Sequence, residues 1–124
     1  MNLVDTSGWL EYFADSVNAP NFSKAIENTD MLIVSPICIY EVFKKVLSEK
    51  DEYYAIEAIS LMKQGIIIDV NDVIAIDAAL INNKTKLGMA DCIIYQTAII
   101  CEAILYTQDS DFKNLPNVKY FPKK

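Results

Sequence analysis

Short apolar runs alternate with amphipathic stretches along this chain of 124 residues. The segments between the runs carry apolar residues at helical spacing. Because neighbouring parallel strands must be joined by a long crossover, usually a helix, the alternation predicts an α/β layer sandwich with a central parallel sheet of four to five strands. The runs interpreted as strands are Leu3-Val4, "MLIVS" (31–35), "IIID" (66–69), "ILYT" (104–107) and, at the sheet edge, "VKYF" (118–121).

Capping residues place the helices between these runs. Ser7 is a favourable N-cap for the first helix, and Ser35-Pro36 combines a serine cap with a proline at the first helical position. Asn71 or Asp72 is expected to cap a later helix, and Gly65 to end an earlier one. Six helices are predicted. One begins after Ser7 and one at Pro36, and the others cover 21–28, 51–63, 71 or 72 to 82, and 89–103. The run at 66–69 is expected to be a third buried strand.

Length and composition indicate one domain over residues 1–124. No Pro/Gly/Ser-rich linker and no internal repeat divides the chain, and its size suits a single core. No apolar run is long enough to cross a membrane, and no leader-like segment opens the chain. We therefore expect a cytoplasmic protein with no membrane partner.

The residue types present limit the chemistry. The chain has no histidine, so the commonest general base and zinc ligand are missing. Three cysteines without a C-x-x-C pair indicate neither a disulfide framework nor a thiolate site. The formal charge of −6 argues against binding nucleic acid through the protein surface alone, although a bound cation can reverse the local sign. Catalysis would then depend on carboxylates, lysines, hydroxyls or a metal.

Four acidic residues are expected at one edge of the sheet. Asp5 directly follows the first strand, and Glu41 lies in the second turn of the helix after the second strand. Asp91 begins a helix that must run antiparallel to the fourth strand, and Asp109 follows that strand. Because ligands of such sheets bind beyond the carboxyl ends of the strands, the four acids are predicted to share a site.

Such a cluster needs a positive partner. Carboxylates held together repel one another, and hard divalent cations such as Mg²⁺ or Mn²⁺ relieve this with oxygen ligands and water. A site of this kind can activate a water and stabilise charge on a phosphodiester. Asp5 would be delivered by a rigid strand, while Thr6 or Ser7 could orient its oxygen or a bound water. The pattern is compatible with metal-dependent hydrolysis of a phosphodiester.

The sequence resembles the PIN-domain ribonucleases, and among them the VapC-type toxins of toxin-antitoxin pairs. The matching segments are "LVDTSGWLEYF", "SPICIYEVFKKV", "GMADCIIYQTAI" and "ILYTQDSDFKNLPNVKYF". The resemblance implies a three-layer PIN-like fold, Mg²⁺- or Mn²⁺-dependent cleavage of RNA, a homodimer and a cognate antitoxin. It also implies that Asp5, Glu41, Asp91 and Asp109 are the catalytic, metal-binding acids, with Ser7 and Thr107 in support.

Some details of the site remain open from the sequence. Gln108 stands where relatives often carry a basic residue, Asn or Gly, and the fourth acid could be Asp109 or Asp111. We favour Asp109, with Asp111 as a supporting residue that caps the turn before Phe112. Lysines that could steer an RNA backbone, or merely be solvated, are Lys44, Lys45, Lys84 and Lys86.

Two alternatives come from other functional classes. A receiver-like phosphoacceptor domain has a similar length and acidity, and Asp69 would end the third strand as an acceptor does. Such modules need paired acids after the first strand and a lysine beyond the fifth, whereas Lys119 lies inside the last run. The second alternative is a catalytically silent PIN-like domain that only binds a partner. The apolar helices between Pro36 and Lys63 could supply a surface for an antitoxin.

Overall fold

A five-stranded parallel sheet forms the centre of the protein. The computed structural model describes residues 1–124, and the strand order is β3-β2-β1-β4-β5. The strands are β1 (Asn2–Val4), β2 (Leu32–Val34), β3 (Ile66–Ile67), β4 (Ile104–Thr107) and β5 (Val118–Tyr120). All four pairings are parallel, which confirms the α/β architecture that the alternation of runs predicts. The first strand along the chain is the central strand of the sheet.

Six helices flank the sheet. They are α1 (Thr6–Ala14), α2 (Pro20–Glu27), α3 (Pro36–Glu49), α4 (Glu52–Met62), α5 (Asp72–Asn82) and α6 (Met89–Ile100). The predicted cap of α3 is confirmed, because Ser35 Oγ accepts a hydrogen bond from the Ile37 backbone N–H at 3.2 Å. Asn71 caps α5 by accepting from the Ile74 N–H at 2.9 Å. None of these helices is long and apolar enough to cross a membrane.

Three local predictions are wrong. The cap of α1 is Asp5, not Ser7, because α1 begins two residues earlier than expected and the Asp5 carboxylate accepts from the Gly8 N–H. The strand expected over 66–69 contains only Ile66 and Ile67, which are 39% and 38% exposed because β3 is an edge strand. Helix α6 ends at Ile100 instead of 103, since Glu102 adopts a left-handed backbone with φ of 53°.

The hydrophobic core joins the sheet to the helices. A cluster of 22 buried residues includes Leu3 and Val4 of β1, Trp9 of α1 and Phe112 after β4. The cysteines Cys38 and Cys92 are buried in this cluster, as their apolar surroundings in the sequence suggest. Gly8 lies where α1 crosses close to β1, because a Cβ atom there would stand 2.5 Å from Val4 Cγ1. This close packing fixes α1, and with it the segment that carries Asp5, against the sheet.

Candidate active site

Asp5 is the most constrained acid of the structure. It leaves β1 at the centre of the sheet, and its backbone N–H still donates to the Tyr106 carbonyl of β4 at 3.1 Å. Its Oδ1 accepts from Ser7 Oγ at 2.6 Å and from the Gly8 N–H at 2.9 Å. Its Oδ2 accepts from Thr107 Oγ1 at 2.5 Å. The side chain is therefore held by donors from both α1 and β4.

Burial nevertheless raises the pKa of Asp5 above its ordinary value. The loss of solvation outweighs the hydrogen bonds from Ser7, Thr107 and Gly8, which lower the pKa, and the charge of Asp109 raises it further. A carboxylate that is fully hydrogen-bonded at a surface would show the opposite shift. Asp5 thus lacks a nearby positive charge.

Glu41 reaches the same region from α3. The Ser35-Pro36 start of the helix puts Glu41 in its second turn, on the side of α1. Thr6 Oγ1 donates to Glu41 Oε1 at 2.6 Å, so the residue after Asp5 fixes the second acid. Thr6 and Ser7, predicted as supporting residues, each hold a different carboxylate. Glu41 Oε2 accepts no hydrogen bond from the protein.

Asp109 follows β4 and is tied to Asp5 through Thr107. The Asp109 N–H donates to Thr107 Oγ1 at 2.9 Å, and that hydroxyl donates to Asp5. Asp109 Oδ1 accepts from the Asp111 N–H at 2.9 Å and caps the short 3-10 turn Ser110–Phe112. The expectation that Asp111 is the cap of this turn is therefore wrong. Asp111 is exposed at the rim, whereas Asp109 is half-buried.

Asp91 connects these acids electrostatically. It lies in the first turn of α6, is half-buried and accepts no hydrogen bond from the protein. Its pKa is raised to about 6, first by burial and then by the charges of Asp109, Asp5, Glu41 and Asp111. The only ion pair of the protein joins Lys45 to Glu49 on α3, so no lysine neutralises this group. The acids that we expected at one edge do influence one another there.

The side chains as they stand do not form a ready ligand set. No three acidic or cysteine side chains lie close enough to hold one metal ion. The donor chemistry still fits a hard divalent cation, since each acid keeps an oxygen lone pair and none of them forms an ion pair. Binding an ion would draw the carboxylates closer together.

Gln108 is a site residue whose role the sequence did not reveal. Its Nε2 donates to Glu11 Oε1 at 2.8 Å, and its Oε1 accepts from Asn18 Nδ2 at 2.8 Å. Its backbone N–H donates to Ser7 Oγ at 3.3 Å. The buried amide thus fastens the segment before Asp109 to α1 and to the loop after it. The one signal in the sequence is that relatives often carry a basic residue, Asn or Gly at this position.

Two cavities open beside the acids. The larger, of about 590 Å³, is a groove between α1, α3 and α4 that Leu10, Phe13 and Leu61 help to line. The smaller, of about 330 Å³, is lined by Ser7, Gln108, Asp109, Ser110, Tyr120 and Lys123. The two share Ser7, Gln108 and Lys123. They therefore meet beside Asp5 and Asp109.

The four lysines predicted as RNA contacts are dispersed. Lys45 lines the larger groove and pairs with Glu49 at 3.0 Å, and Lys44 Nζ stands 5.9 Å from the centre of the Tyr40 ring. Lys84 and Lys86 lie in the loop between α5 and α6. None of the four lines the smaller cavity, which Lys123 supplies with a positive charge instead.

Comparison with known proteins agrees with the fold. The PIN-domain family model matches residues 3–118. This α/β domain with an acidic cluster at its sheet edge therefore belongs to the PIN-domain family. Membership of this family rules out the receiver-like alternative. Asp69, the acceptor in that alternative, lies beyond the end of β3. No curated protein gave a match.

Solved structures with the same fold come from toxin-antitoxin systems. A toxin-antitoxin complex from Klebsiella pneumoniae has a chain 24% identical, with a TM-score of 0.81 and 99% of this chain and 100% of that chain covered. A VapBC complex from Rickettsia felis bound to promoter DNA gives 19% identity, a TM-score of 0.72 and coverages of 98% and 97%. A sarcin-ricin loop cleaving toxin from Mycobacterium tuberculosis gives 14% identity, a TM-score of 0.75 and coverages of 94% and 95%.

Proposed function

We propose that this PIN domain is a divalent-metal-dependent endoribonuclease and the toxin of a toxin-antitoxin pair. The observation that carries the proposal is the acid cluster itself, in which Asp91 has its pKa raised to about 6 by burial and by the charges of its acidic neighbours. Such a cluster is costly unless a cation binds to it. The solved structures of the same fold, several of them toxin-antitoxin complexes, support the biological setting.

The metal-binding residues in this proposal are Asp5, Glu41, Asp91 and Asp109. Mg²⁺ or Mn²⁺ bound to them would supply an activated water and stabilise negative charge on a phosphodiester. The protein's own part is positioning: Ser7 and Thr107 hold Asp5, Thr6 holds Glu41, and Thr107 together with Gln108 fixes the segment that carries Asp109. Asp91 remains unbonded and is free to adjust. Asp111 would assist from the rim.

Cleavage of labelled RNA tests the proposal. Asp5→Asn removes the charge while keeping an oxygen that can accept from Ser7 and Gly8, so we expect at least about 100-fold slower cleavage in Mg²⁺ or Mn²⁺. The matched control is Asp30→Asn, an exposed acid just before β2 and therefore at the opposite edge of the sheet. Circular dichroism verifies that both variants fold. Wild-type cleavage that persists in EDTA, or full activity of Asp5→Asn, would contradict the proposal.

Metal titration separates an active nuclease from a silent PIN-like domain. Calorimetry of the wild type should show heat of Mn²⁺ binding that Asp5→Asn loses and Asp30→Asn keeps. A protein that binds no Mg²⁺ or Mn²⁺ at millimolar concentrations would instead be a partner-binding domain. This measurement needs no knowledge of the RNA target.

The partners in this proposal are an RNA substrate, a cognate antitoxin and a second copy of the chain. The groove between α1, α3 and α4 is a suitable antitoxin surface, because it lies in the region expected from the apolar helices between Pro36 and Lys63 and ends beside Asp5. An antitoxin seated there could block the acids. Pull-down with the protein encoded beside this gene would test the assignment, with Leu61→Lys as the disrupting variant and Val17→Lys, an exposed apolar residue that does not line the groove, as the control.

A further inference from the structure

The smaller cavity differs from its surroundings in charge and chemistry. Apart from Asp109 its lining consists of two serine hydroxyls, an amide, one tyrosine ring and one lysine. The protein as a whole carries a formal charge of −6, and the adjacent acids repel a polyanion. Lys123 is the one positively charged residue of this lining. The cavity's volume of about 330 Å³ is within the range of sites for small ligands.

One lysine lines this cavity and a second lies beside its tyrosine ring. Lys123 forms part of the lining, and Lys113 Nζ stands 5.9 Å from the centre of the Tyr120 ring. Neither lysine has an ion pair, since the only one in the protein joins Lys45 to Glu49. Lys123 also lines the larger groove, where its charge contributes to the lowered pKa of Glu11. Both ammonium groups remain available to an anionic ligand.

The Tyr120 ring is held at a defined distance from the acids. Tyr120 ends β5, where it is the register partner of Thr107, the residue that bonds Asp5 and Asp109. The ring is partly exposed and borders the cavity together with Asp109. Aromatic rings next to cations bind single-stranded nucleic acids by combining base stacking with phosphate contacts. A rigid β-strand supplies this ring at the mouth of the acid cluster.

We propose that this cavity, the Tyr120 cleft, binds one nucleotide of a single-stranded RNA immediately next to the cleaved phosphate. In this arrangement the Tyr120 ring stacks on the base, and Lys123 contacts a phosphate, with Lys113 as a second cation behind the ring. The inference rests on the proposed ribonuclease function and adds the substrate's form and its position. It also replaces Lys44, Lys45, Lys84 and Lys86 with lysines that border the acids.

RNA binding tests the Tyr120 cleft without requiring cleavage. The probe is a short fluorescein-labelled single-stranded RNA of mixed sequence, and its anisotropy is followed in Ca²⁺ with each variant. Tyr120→Leu should weaken binding roughly tenfold, whereas Tyr120→Phe, which keeps the ring, should stay within about twofold. Lys123→Gln should lower the salt dependence of log K by about 0.7, the value for one lost phosphate contact on a single strand. Lys24→Gln, an exposed lysine on α2, is the charge-matched control and should change neither quantity.

The outcomes separate this inference from the proposed function. Wild-type cleavage with unchanged RNA binding by Tyr120→Leu and Lys123→Gln would overturn the Tyr120 cleft and leave the nuclease standing. RNA binding that depends on Tyr120 and Lys123 in a protein that does not cleave would support the cleft and refute the nuclease. No RNA binding by the wild type, or equal weakening by Tyr120→Leu and Tyr120→Phe, would also overturn it. Thermal unfolding of each variant confirms that the fold is retained.

Discussion

At the scale of single residues, the acids differ in how strongly the protein constrains them. Asp5 is fixed by three hydrogen bonds, whereas Asp91 accepts none, and the charges of four other acids contribute to its raised pKa. The sequence could predict which acids meet, because the ends of parallel strands and the starts of their helices share an edge. It could not predict which acid would be left without a donor, since Thr6 and Thr107 reach their partners across long separations in the chain.

The raised pKa of Asp91 predicts a pH-dependent stability. In metal-free protein the folded state keeps a proton between about pH 4 and pH 6 that the unfolded chain has lost, so the free energy of unfolding falls as pH rises through this window. Asp91→Asn removes the effect and should raise the free energy of unfolding at pH 7 by about 1 kcal/mol, a value discounted because the side chain is half exposed. Urea unfolding in EDTA at pH 4 and pH 7 measures the free energy of unfolding. The same pH dependence in Asp91→Asn and the wild type would contradict the prediction.

Thr107 is expected to serve the site through its hydroxyl and not through its volume. Thr107→Val keeps the shape but leaves Asp5 Oδ2 and the Asp109 N–H without their partner, so stability should fall by about 1–3 kcal/mol. RNA cleavage should fall as well, because both acids lose their shared anchor. Thr107→Ser retains the hydroxyl and is the matched control. Urea unfolding and cleavage rates that do not distinguish Val from Ser would count against this role.

At the scale of helices and strands, the errors in prediction have physical causes. Both Asp5 and Ser7 are good N-caps, and local preference could not decide between them, whereas the end of β1 places Asp5 where its carboxylate meets the Gly8 N–H. In the same way, local preference could not decide whether Asp109 or Asp111 caps the turn Ser110–Phe112. The run at 66–69 is apolar enough for a buried strand, but its burial depends on a neighbour, and β3 has only β2 beside it.

The packing of α1 on β1 predicts a glycine-specific requirement. In Gly8→Ala the new Cβ would stand 2.5 Å from Val4 Cγ1 and 2.7 Å from Phe22 Cδ1, so α1 must move outward. We expect a loss of about 1–3 kcal/mol in the free energy of unfolding. Gly88→Ala is the control, because no atom lies within 4 Å of its added Cβ, and it should cost below about 1 kcal/mol. Equal free energies of unfolding for Gly8→Ala and Gly88→Ala, measured in urea, would refute this packing argument.

At the scale of the whole molecule, the fold follows from the order of the runs, while the Tyr120 cleft does not. Alternating strands and helices restrict the chain to a few topologies, and right-handed crossovers restrict it further. The cleft depends on β5, an edge strand, and on Lys123 after it, which approach Ser7 from the opposite end of the chain. No local pattern encodes that approach. The sequence alone therefore does not point to Lys123.

Exposed apolar residues on α5 predict self-association. Val73, Ile76 and Leu80 follow helical spacing and are 50%, 61% and 59% exposed. If this stripe joins two copies, as we propose, sedimentation should show twice the chain mass of 14.0 kDa, and Ile76→Lys should shift the protein to the single-chain mass. Val17→Lys changes an exposed apolar residue outside the stripe and should have no effect. A wild type that sediments as a single chain would contradict the dimer.

The central position of β1 has a consequence for synthesis of the protein. Asp5 leaves the ribosome 102 residues before Thr107, which holds it, and β1 pairs with β4 across a similar stretch of chain. A growing polypeptide therefore cannot assemble the acidic pocket before β4 has been synthesised. In the proposed ribonuclease, cleavage would therefore begin only once β4 has joined the sheet.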